Sequence, residues 1–200
     1  METLTYDHFP ASLSTAHVAL FVGVSNAKAL RARIVAAATR EGPEGDAERQ
    51  AVNFAFVDAR LVTSVLHLRT AIQQAILAET QGALRTRTVH SEVLWALNPS
   101  NNITEAIRRY GVSDGSTALF VVRVAPPGVD DIEARMRAVV SGSLSGVGAL
   151  SGLTDWGAVK KYHKLNGEPA IASAGKDGER ERAVVDNIVV SSVAMKSVMA

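Results

Sequence analysis

The sequence predicts an α/β (α+β) fold, in which a single mixed sheet carries helices packed on it and a C-terminal helix. Three observations predict this class. Hydrophobic residues make up 47% of the 200 residues and charged residues 20%, which is typical of globular domains. Short β-branched runs alternate with longer segments of helical periodicity. Because domains of this length are usually single, we expect one domain over residues 1–200.

The first half of the chain alternates strands and helices. Residues 17–24 form a β-branched, aliphatic run that predicts a buried strand, and residues 27–40 follow with apolar side chains at helical spacing. Residues 41–50 hold two glycines, one proline and five charges, and we expect a mobile loop there. Residues 52–58 predict a second strand, and residues 59–84 the longest helix.

The middle of the chain continues the alternation. Residues 89–97 predict a third strand and residues 117–124 a fourth. Between them, Asn102 is placed to cap a helix over 103–110, with Glu105 three residues later as in a capping box.

The last third is predicted to be mostly helical. Residues 130–140 and 155–165 have helical patterns, and they are separated by a flexible glycine- and serine-rich connection over 141–152. Residues 167–180 are rich in glycine and charge, which predicts a second mobile loop. Helix and strand both suit residues 181–198, and their length favours a helix.

The composition excludes several classes of site. There is no cysteine, which removes disulfides, thiolate zinc sites and a cysteine nucleophile. No apolar run reaches the ~18 residues that a membrane span needs. The formal charge is only +1, so any nucleic-acid binding must come from a local basic patch.

No motif in the sequence favours an enzyme. Residues 111–115 spell G-x-S-x-G, but a nucleophile elbow has a strand before it and a helix after it. Here the predicted order is reversed, so a helix end and a turn account for the glycines. The five histidines have no partners at metal-ligand spacing. His90 alone has a polar neighbourhood with nearby arginines, which leaves a structural and a functional role open.

One segment, residues 84–111, is denser in specific residue types than folding requires. It reads LRTRTVHSEVLWALNPSNNITEAIRRYG, with basic residues first, an Asn/Pro turn in the middle and a helix start after the turn. The free N–H groups of a helix start can bind an anion, and a well-capped helix explains the same residues.

This segment resembles the signature of the PRPK-binding protein family, the small kinase-binding subunit of the KEOPS (EKC) complex. The family pattern is basic–x–His–Ser/Thr–Glu, then Pro–x–Asn–Asn–Ile, then Glu–x–x–x–Arg–aromatic–Gly. The segments SNAKALR (25–31), NFAFVDARLVTSVLHLRTA (53–71) and KKYHKL (160–165) resemble further family elements, and the resemblance covers about residues 17–196. Residues 41–50 and 167–180 look like the insertions of fungal members, and His163 splits the usual Tyr–Lys pair.

The resemblance implies a non-catalytic accessory subunit without cofactor or metal. Members bind the amino-terminal lobe of a small atypical protein kinase or ATPase. With its partner subunit, that kinase supports threonylcarbamoylation of the adenosine next to the anticodon of tRNA. Fungal complexes are also linked to telomere maintenance and transcription, and a nuclear and cytoplasmic location is expected. Archaeal relatives bind the tRNA 3′ CCA tail, so a tRNA-binding module is the alternative function.

The resemblance also suggests contact residues. For the kinase, the C-terminal helix offers Ile188, Val189 and Val193, although the same face could simply cover the sheet. Basic and amide side chains could contact phosphate and base edges of RNA, although surface arginines also serve solubility. The candidate RNA contacts are Arg85, Arg87, His90, Asn101, Asn102, Lys160 and Lys161.

Overall fold

The computed structural model describes residues 1–199 and is built around one sheet of five strands. The strands are β1 (Glu2–Thr5), β2 (Thr15–Val22), β3 (Ala55–Asp58), β4 (Ala118–Ala125) and β5 (Ser143–Ser145). Their order is β1–β2–β4–β3, and β5 pairs with β2 on the same side as β1. The predicted fold class is confirmed, with the correction that all described strand pairs are antiparallel, whereas a mixed sheet was expected.

The central strands are buried on both faces. In β2, Ala16, Val18 and Leu20 face one hydrophobic core, and Ala19 and Phe21 face the other. This double burial explains why the strands appear in the sequence as continuous apolar runs. The molecule is therefore a sheet between two layers of helices.

Helices of very different lengths form the two layers. They are α1 (Ala27–Thr39), α2 (Gly42–Ala51), α3 (Val65–Thr80), α4 (Val89–Leu97), α5 (Ile103–Tyr110), α6 (Ile132–Val139), α7 (Trp156–Tyr162), α8 (Pro169–Ala172), α9 (Gly178–Ala194) and α10 (Lys196–Met199). Buried residues of α1 and α6 belong to the core on one face of the sheet, and those of α3, α4, α7 and α9 to the core on the other. Within residues 1–199, no helix combines the length and apolar character needed to cross a bilayer.

The segment 89–97, predicted to be a strand, is helix α4. All its side chains except Ser91 are buried, and a segment that is buried on every side loses the periodicity that separates helix from strand. The local signal for the helix is a reciprocal cap. The Thr88 hydroxyl accepts the Ser91 N–H at 3.1 Å, and the Ser91 hydroxyl accepts the Thr88 N–H at 3.2 Å.

The segment 41–50, predicted to be a mobile loop, forms most of helix α2. Pro43 lies in its first turn, where a missing N–H is harmless. The helix has no apolar stripe, and polar side chains attach it to α1 instead. Arg33 pairs with Glu48 at 2.8 Å, and Arg49 donates to the carbonyl of Ala37 at 3.1 Å.

The other differences are smaller. Strand β1 was not predicted, and the flexible connection 141–152 contains β5 and a 3₁₀ turn. The long helix predicted over 59–84 is a 3₁₀ turn at Ala59–Leu61 followed by α3, which Ser64 caps. The second predicted loop, 167–180, contains α8 and the beginning of α9.

Candidate functional site in the 84–111 segment and the C-terminal helix

A buried carboxylate organises the loop before α4. Glu92 is 1% exposed, and its oxygens accept the N–H groups of Arg85 at 3.1 Å and Thr86 at 2.8 Å. The Thr86 hydroxyl donates to the same carboxylate at 2.6 Å. Three donors satisfy the buried charge, so the loop backbone is fixed. The side chains of Arg85 and Arg87 remain exposed on that fixed loop.

His90 is a structural residue in the core. The N–H of Val124 donates to Nε2 at 3.0 Å, where β4 extends beyond the end of β3, so His90 replaces a missing strand partner. Because Nε2 accepts, the proton lies on Nδ1, which is 2.8 Å from the side-chain oxygen of Asn53. Burial, with a contribution from the Arg123 charge, lowers the pKa of His90 to about 3. A neutral side chain bonded at both nitrogens and 4% exposed is not available to contact RNA.

The turn between α4 and α5 has a buried base and an exposed tip. Asn98 is buried and donates to the Ser100 carbonyl at 3.0 Å, while the Ser100 hydroxyl donates to Glu105. This hydrogen bond from Ser100 is the main reason that the pKa of Glu105 lies below its usual value. The predicted N-cap is confirmed, since Asn102 Oδ1 accepts the Glu105 N–H at 2.9 Å. The reciprocal half of the predicted capping box does not form, because the Glu105 carboxylate accepts from Ser100 and the Asn102 N–H donates to the Ser100 hydroxyl. The side chains of Asn101 and Asn102 are exposed.

The two candidate lysines of α7 differ in availability. Lys160 forms an ion pair with Glu181 of α9 at 2.5 Å and is half-buried, whereas Lys161 is exposed. Helix α7 approaches the end of α5, where the Arg109 guanidinium lies 4.5 Å from the centre of the Tyr162 ring. No hydrogen bond or ion pair within residues 1–199 joins these lysines to the loop of Arg85 and Arg87.

The three candidate kinase contacts divide between core and surface. Val189 and Val193 are 0% and 2% exposed and belong to the core that α9 forms with α3 and the sheet. For these two residues the alternative interpretation holds in the structure, because they cover the sheet. Ile188 is half-buried at the edge of that core. Farther along, Met195 is 49% and Val198 75% exposed.

Lys196, which the sequence analysis missed, joins the C-terminal helix to the turn after α4. It is 6% exposed, and its ammonium donates to the carbonyls of Asn98 and Ser100, the latter at 2.8 Å. The same Nζ lies 4.3 Å from the centre of the Trp95 ring. Its sequence signal is a single cation among apolar residues at the end of a helix.

A small cleft lies between α3, α4 and α10 and brings the two candidate regions together. Arg85 of the predicted RNA-binding set and Ser197 of α10 both line it. The other lining residues are Gln74, Leu77, Ala78, Gln81, Ala83, Glu92, Trp95 and Ala96. In the part of the chain that the structure describes, no three histidine or acidic side chains are grouped to hold a metal ion.

A comparison with known protein families identifies the family of this chain. A family model described as "Kinase binding protein CGI-121" matches residues 21–197. The chain belongs to this family. The match includes the 84–111 segment and the C-terminal helix, and it confirms the family resemblance drawn from the sequence.

The similar proteins share one name, and they align with this chain over nearly their whole length. A protein named EKC/KEOPS complex subunit CGI121 from Cryptococcus neoformans is 36% identical over 96% of this chain and 100% of its own. Proteins of that name from Gibberella zeae and Neurospora crassa are 35% and 30% identical. They cover 99% and 98% of this chain, and 99% and 98% of their own lengths.

The family signature therefore contains residues of two kinds. His90, Glu92 and Asn98 are buried and hold backbone segments in place, whereas Arg85 and Asn101 are exposed. Glu92 was missed as an organising residue, although a lone acidic residue in the apolar run 89–97 signals a buried, satisfied charge.

Proposed function

We propose that this chain is a non-catalytic accessory subunit of the EKC/KEOPS complex. In this proposal it binds the small atypical kinase of the complex. Through that binding it promotes threonylcarbamoylation of the adenosine next to the anticodon of tRNA. The family description and the names of the relatives support the complex and the kinase. The structural observation that supports the proposal most is the exposed apolar end of the C-terminal helix.

The proposed kinase contact is the outer side of α9 and α10. Ile188 and Met195 are seven residues apart, which is about two helical turns, so they lie on the same side of α9. The exposed Val198 follows in α10. Apolar anchors at such spacing suit a helix that packs into a groove of a partner. We therefore replace Val189 and Val193 in the proposed contact set by Met195 and Val198, and keep Ile188.

The non-catalytic part of the proposal is supported by how the titratable signature residues are used. Glu92 is occupied by backbone and hydroxyl donors, and both nitrogens of His90 have partners inside the core. Catalytic acids and bases need access to a reacting proton. These two side chains have no such access.

Direct contact with tRNA is the second part of the proposal. Arg85, Arg87 and Lys161 are exposed cations, and Asn101 and Asn102 present exposed amides. Cations of this kind contact phosphate, and amides can bond to the base edges of an unpaired strand such as the 3′ CCA tail. His90 and Lys160 are left out because one is buried and the other is paired with Glu181.

The proposed nuclear and cytoplasmic location and the role in telomere maintenance rest on the family resemblance alone. Localisation of a tagged chain in fungal cells is the direct observation for the first. For the second, telomere length would be compared between cells with and without the chain.

The kinase contact is tested by charging an exposed and a buried residue of the same helical segment. We expect Met195→Glu to weaken binding of the cognate small kinase by about thirtyfold, or about 2 kcal/mol, as for an interface hot spot. Its thermal midpoint should match the wild type, because the side chain is half in solvent. Calorimetric titration with the kinase gives the affinity.

Val193→Glu is the matched control. It introduces the same charge two residues earlier, but into the core, so it should lower the free energy of unfolding instead. A folded Met195→Glu variant with wild-type affinity would show that the contact lies elsewhere. Failure of the wild-type chain to bind the kinase would overturn the proposed function.

A further inference from the structure

Lys196 occupies an unusual position for a lysine. It is almost fully buried, yet its neighbours Met195 and Val198 are exposed on the outer side of the same segment. Its ammonium is held by two backbone carbonyls and by the face of Trp95. None of the ion pairs formed within residues 1–199 includes it.

A buried lysine that forms no ion pair is a poor source of stability. Removing an ammonium from water carries a large desolvation penalty, which neutral carbonyl acceptors offset only in part. Burial accordingly lowers the pKa of Lys196 to about 8, and the charge of the nearby Glu92 carboxylate opposes this shift only in part. What the lysine does provide is geometry, because its donors fix the carbonyls of Asn98 and Ser100 in relation to α10.

The turn that Lys196 holds is the one that displays the candidate RNA contacts. Asn101 follows Ser100 directly, and its carbonyl accepts the Trp95 indole N–H at 3.5 Å. Asn102 caps α5. Any shift of the Ser100 carbonyl therefore moves the backbone that carries both exposed amides.

We propose that Lys196 is a positioning residue that couples a protein partner on the Met195–Val198 surface to the conformation of the 98–102 turn. The inference deepens the proposed function and rests on it. The partner is the kinase, and the regulated property is the presentation of Asn101 and Asn102 to RNA.

The short length of α10 explains how a bound partner could change its position. A helix of four residues has few hydrogen bonds of its own, so its position depends on what packs against it. A partner that covers Met195 and Val198 fixes α10, and through Lys196 it fixes the turn. Coupling between two sites is reciprocal. By whatever factor the bound kinase raises the affinity of the turn for RNA, RNA bound at the turn must raise the affinity for the kinase.

A purely structural role is the competing explanation. Lys196 lies at the carboxyl end of α4, where a cation stabilises the last carbonyls of a helix. In that case the loss of Lys196 lowers the stability of the fold, and binding of the kinase does not change the conformation of the 98–102 turn.

Hydrogen exchange of the backbone amides separates the two explanations. We expect the kinase to slow exchange at residues 98–103 of the wild-type chain, apart from Pro99, which has no N–H, by about tenfold, within the usual range of coupling between sites. The Lys196→Met variant has an unbranched side chain of similar length but no hydrogen-bond donor. In this variant the slowing should nearly vanish while the kinase still binds. Lys196→Arg, which keeps charge and donors, should restore much of it. Residues 42–51 of α2 are the internal reference and should be unaffected.

Each outcome decides. If the kinase does not bind the wild-type chain, the proposed function fails and the coupling with it. If the kinase binds but exchange at 98–103 is unchanged, the coupling alone is wrong. Equal slowing in wild type and Lys196→Met also overturns it and leaves Lys196 as a helix cap. If Lys196→Met does not fold, the wild-type and Lys196→Arg measurements decide.

Discussion

Single residues of the 84–111 segment illustrate how a buried group can place an exposed one. Glu92 never reaches the surface, but its carboxylate accepts the N–H groups of Arg85 and Thr86 and so sets the course of the loop. Arg85 and Arg87 then project from a fixed backbone. A contact made from a fixed loop loses less conformational entropy on binding than one made from a flexible loop.

Replacing Arg85 and Arg87 together by alanine should weaken tRNA binding and reduce its salt dependence. Removing one cation that pairs with a phosphate lowers the slope of log affinity against log salt by about 0.7–0.9, so removing both lowers it by about 1.5. Fluorescence anisotropy with labelled tRNA over a salt series measures affinity and slope together. The double variant Lys28→Ala/Arg137→Ala removes the same charge from α1 and α6, on the opposite side of the sheet, and should leave the slope unchanged. An unchanged slope in the Arg85/Arg87 variant would contradict RNA contact by this loop.

At the scale of helices and strands, the sequence predicted best those elements whose ends are marked by capping residues. The α5 helix was predicted to the residue, because Asn102 and Gly111 mark its two ends. The α4 helix was predicted as a strand, because it is buried on nearly all sides and periodicity is lost. In both segments the caps were more informative than the hydrophobic pattern.

The candidate site was predictable only in part, for a related reason. The exposed Arg85 and Asn101 could be found from the sequence, since charged and amide side chains in a loop are normally at the surface. That Val189 and Val193 face inward while Met195 faces outward depends on how α9 rotates against α3. One sequence cannot define that rotation, because Ile188, Val189 and Met195 are all apolar.

Helix α2 offers a test of how it packs on α1. Alanine usually favours a helix over glycine by about 1 kcal/mol. At Gly45, however, an added Cβ would lie 2.1 Å from the carbonyl oxygen of Arg40, so α2 would have to move. Gly45→Ala should therefore lower the free energy of unfolding by about 1–3 kcal/mol, measured by urea denaturation. Gly178→Ala in α9, where a Cβ meets nothing within 4 Å, is the control and should be neutral or stabilising. A stabilised Gly45→Ala variant would show that α2 does not approach α1 this closely.

In the molecule as a whole, the proposed contacts belong to one of the two helical layers. Helices α3, α4, α7 and α9 share a core on one face of the sheet, and the candidate residues lie on these helices, on α10 or on loops joined to these helices. The layer of α1 and α6 contributes none of the candidates. The same candidate-bearing side also buries His67 and His90 and partly buries His163, so its stability is tied to their protonation.

These three histidines predict that the protein loses stability in mild acid. Burial lowers the pKa of His67 and of His90 to about 3 and that of His163 to about 4, from 6.5 in the unfolded chain. Below pH 6.5 the unfolded chain therefore binds protons that the folded chain does not, and the free energy of unfolding falls as the pH is lowered. Each histidine contributes about 1.4 kcal/mol per pH unit once that window is entered.

Urea denaturation between about pH 7 and about pH 5.5 measures this slope. The predicted loss is large against a total stability of about 5–15 kcal/mol, so the midpoint should fall steeply. His163→Asn removes one of the protons taken up on unfolding, and its slope should be shallower than that of the wild type whatever its absolute stability. His8→Asn replaces an exposed histidine and controls for the substitution as such. A wild-type midpoint that stayed constant down to about pH 5 would mean that the folded chain binds these protons too, which the hydrogen bonds of Val124 to His90 and of Thr63 to His67 do not allow.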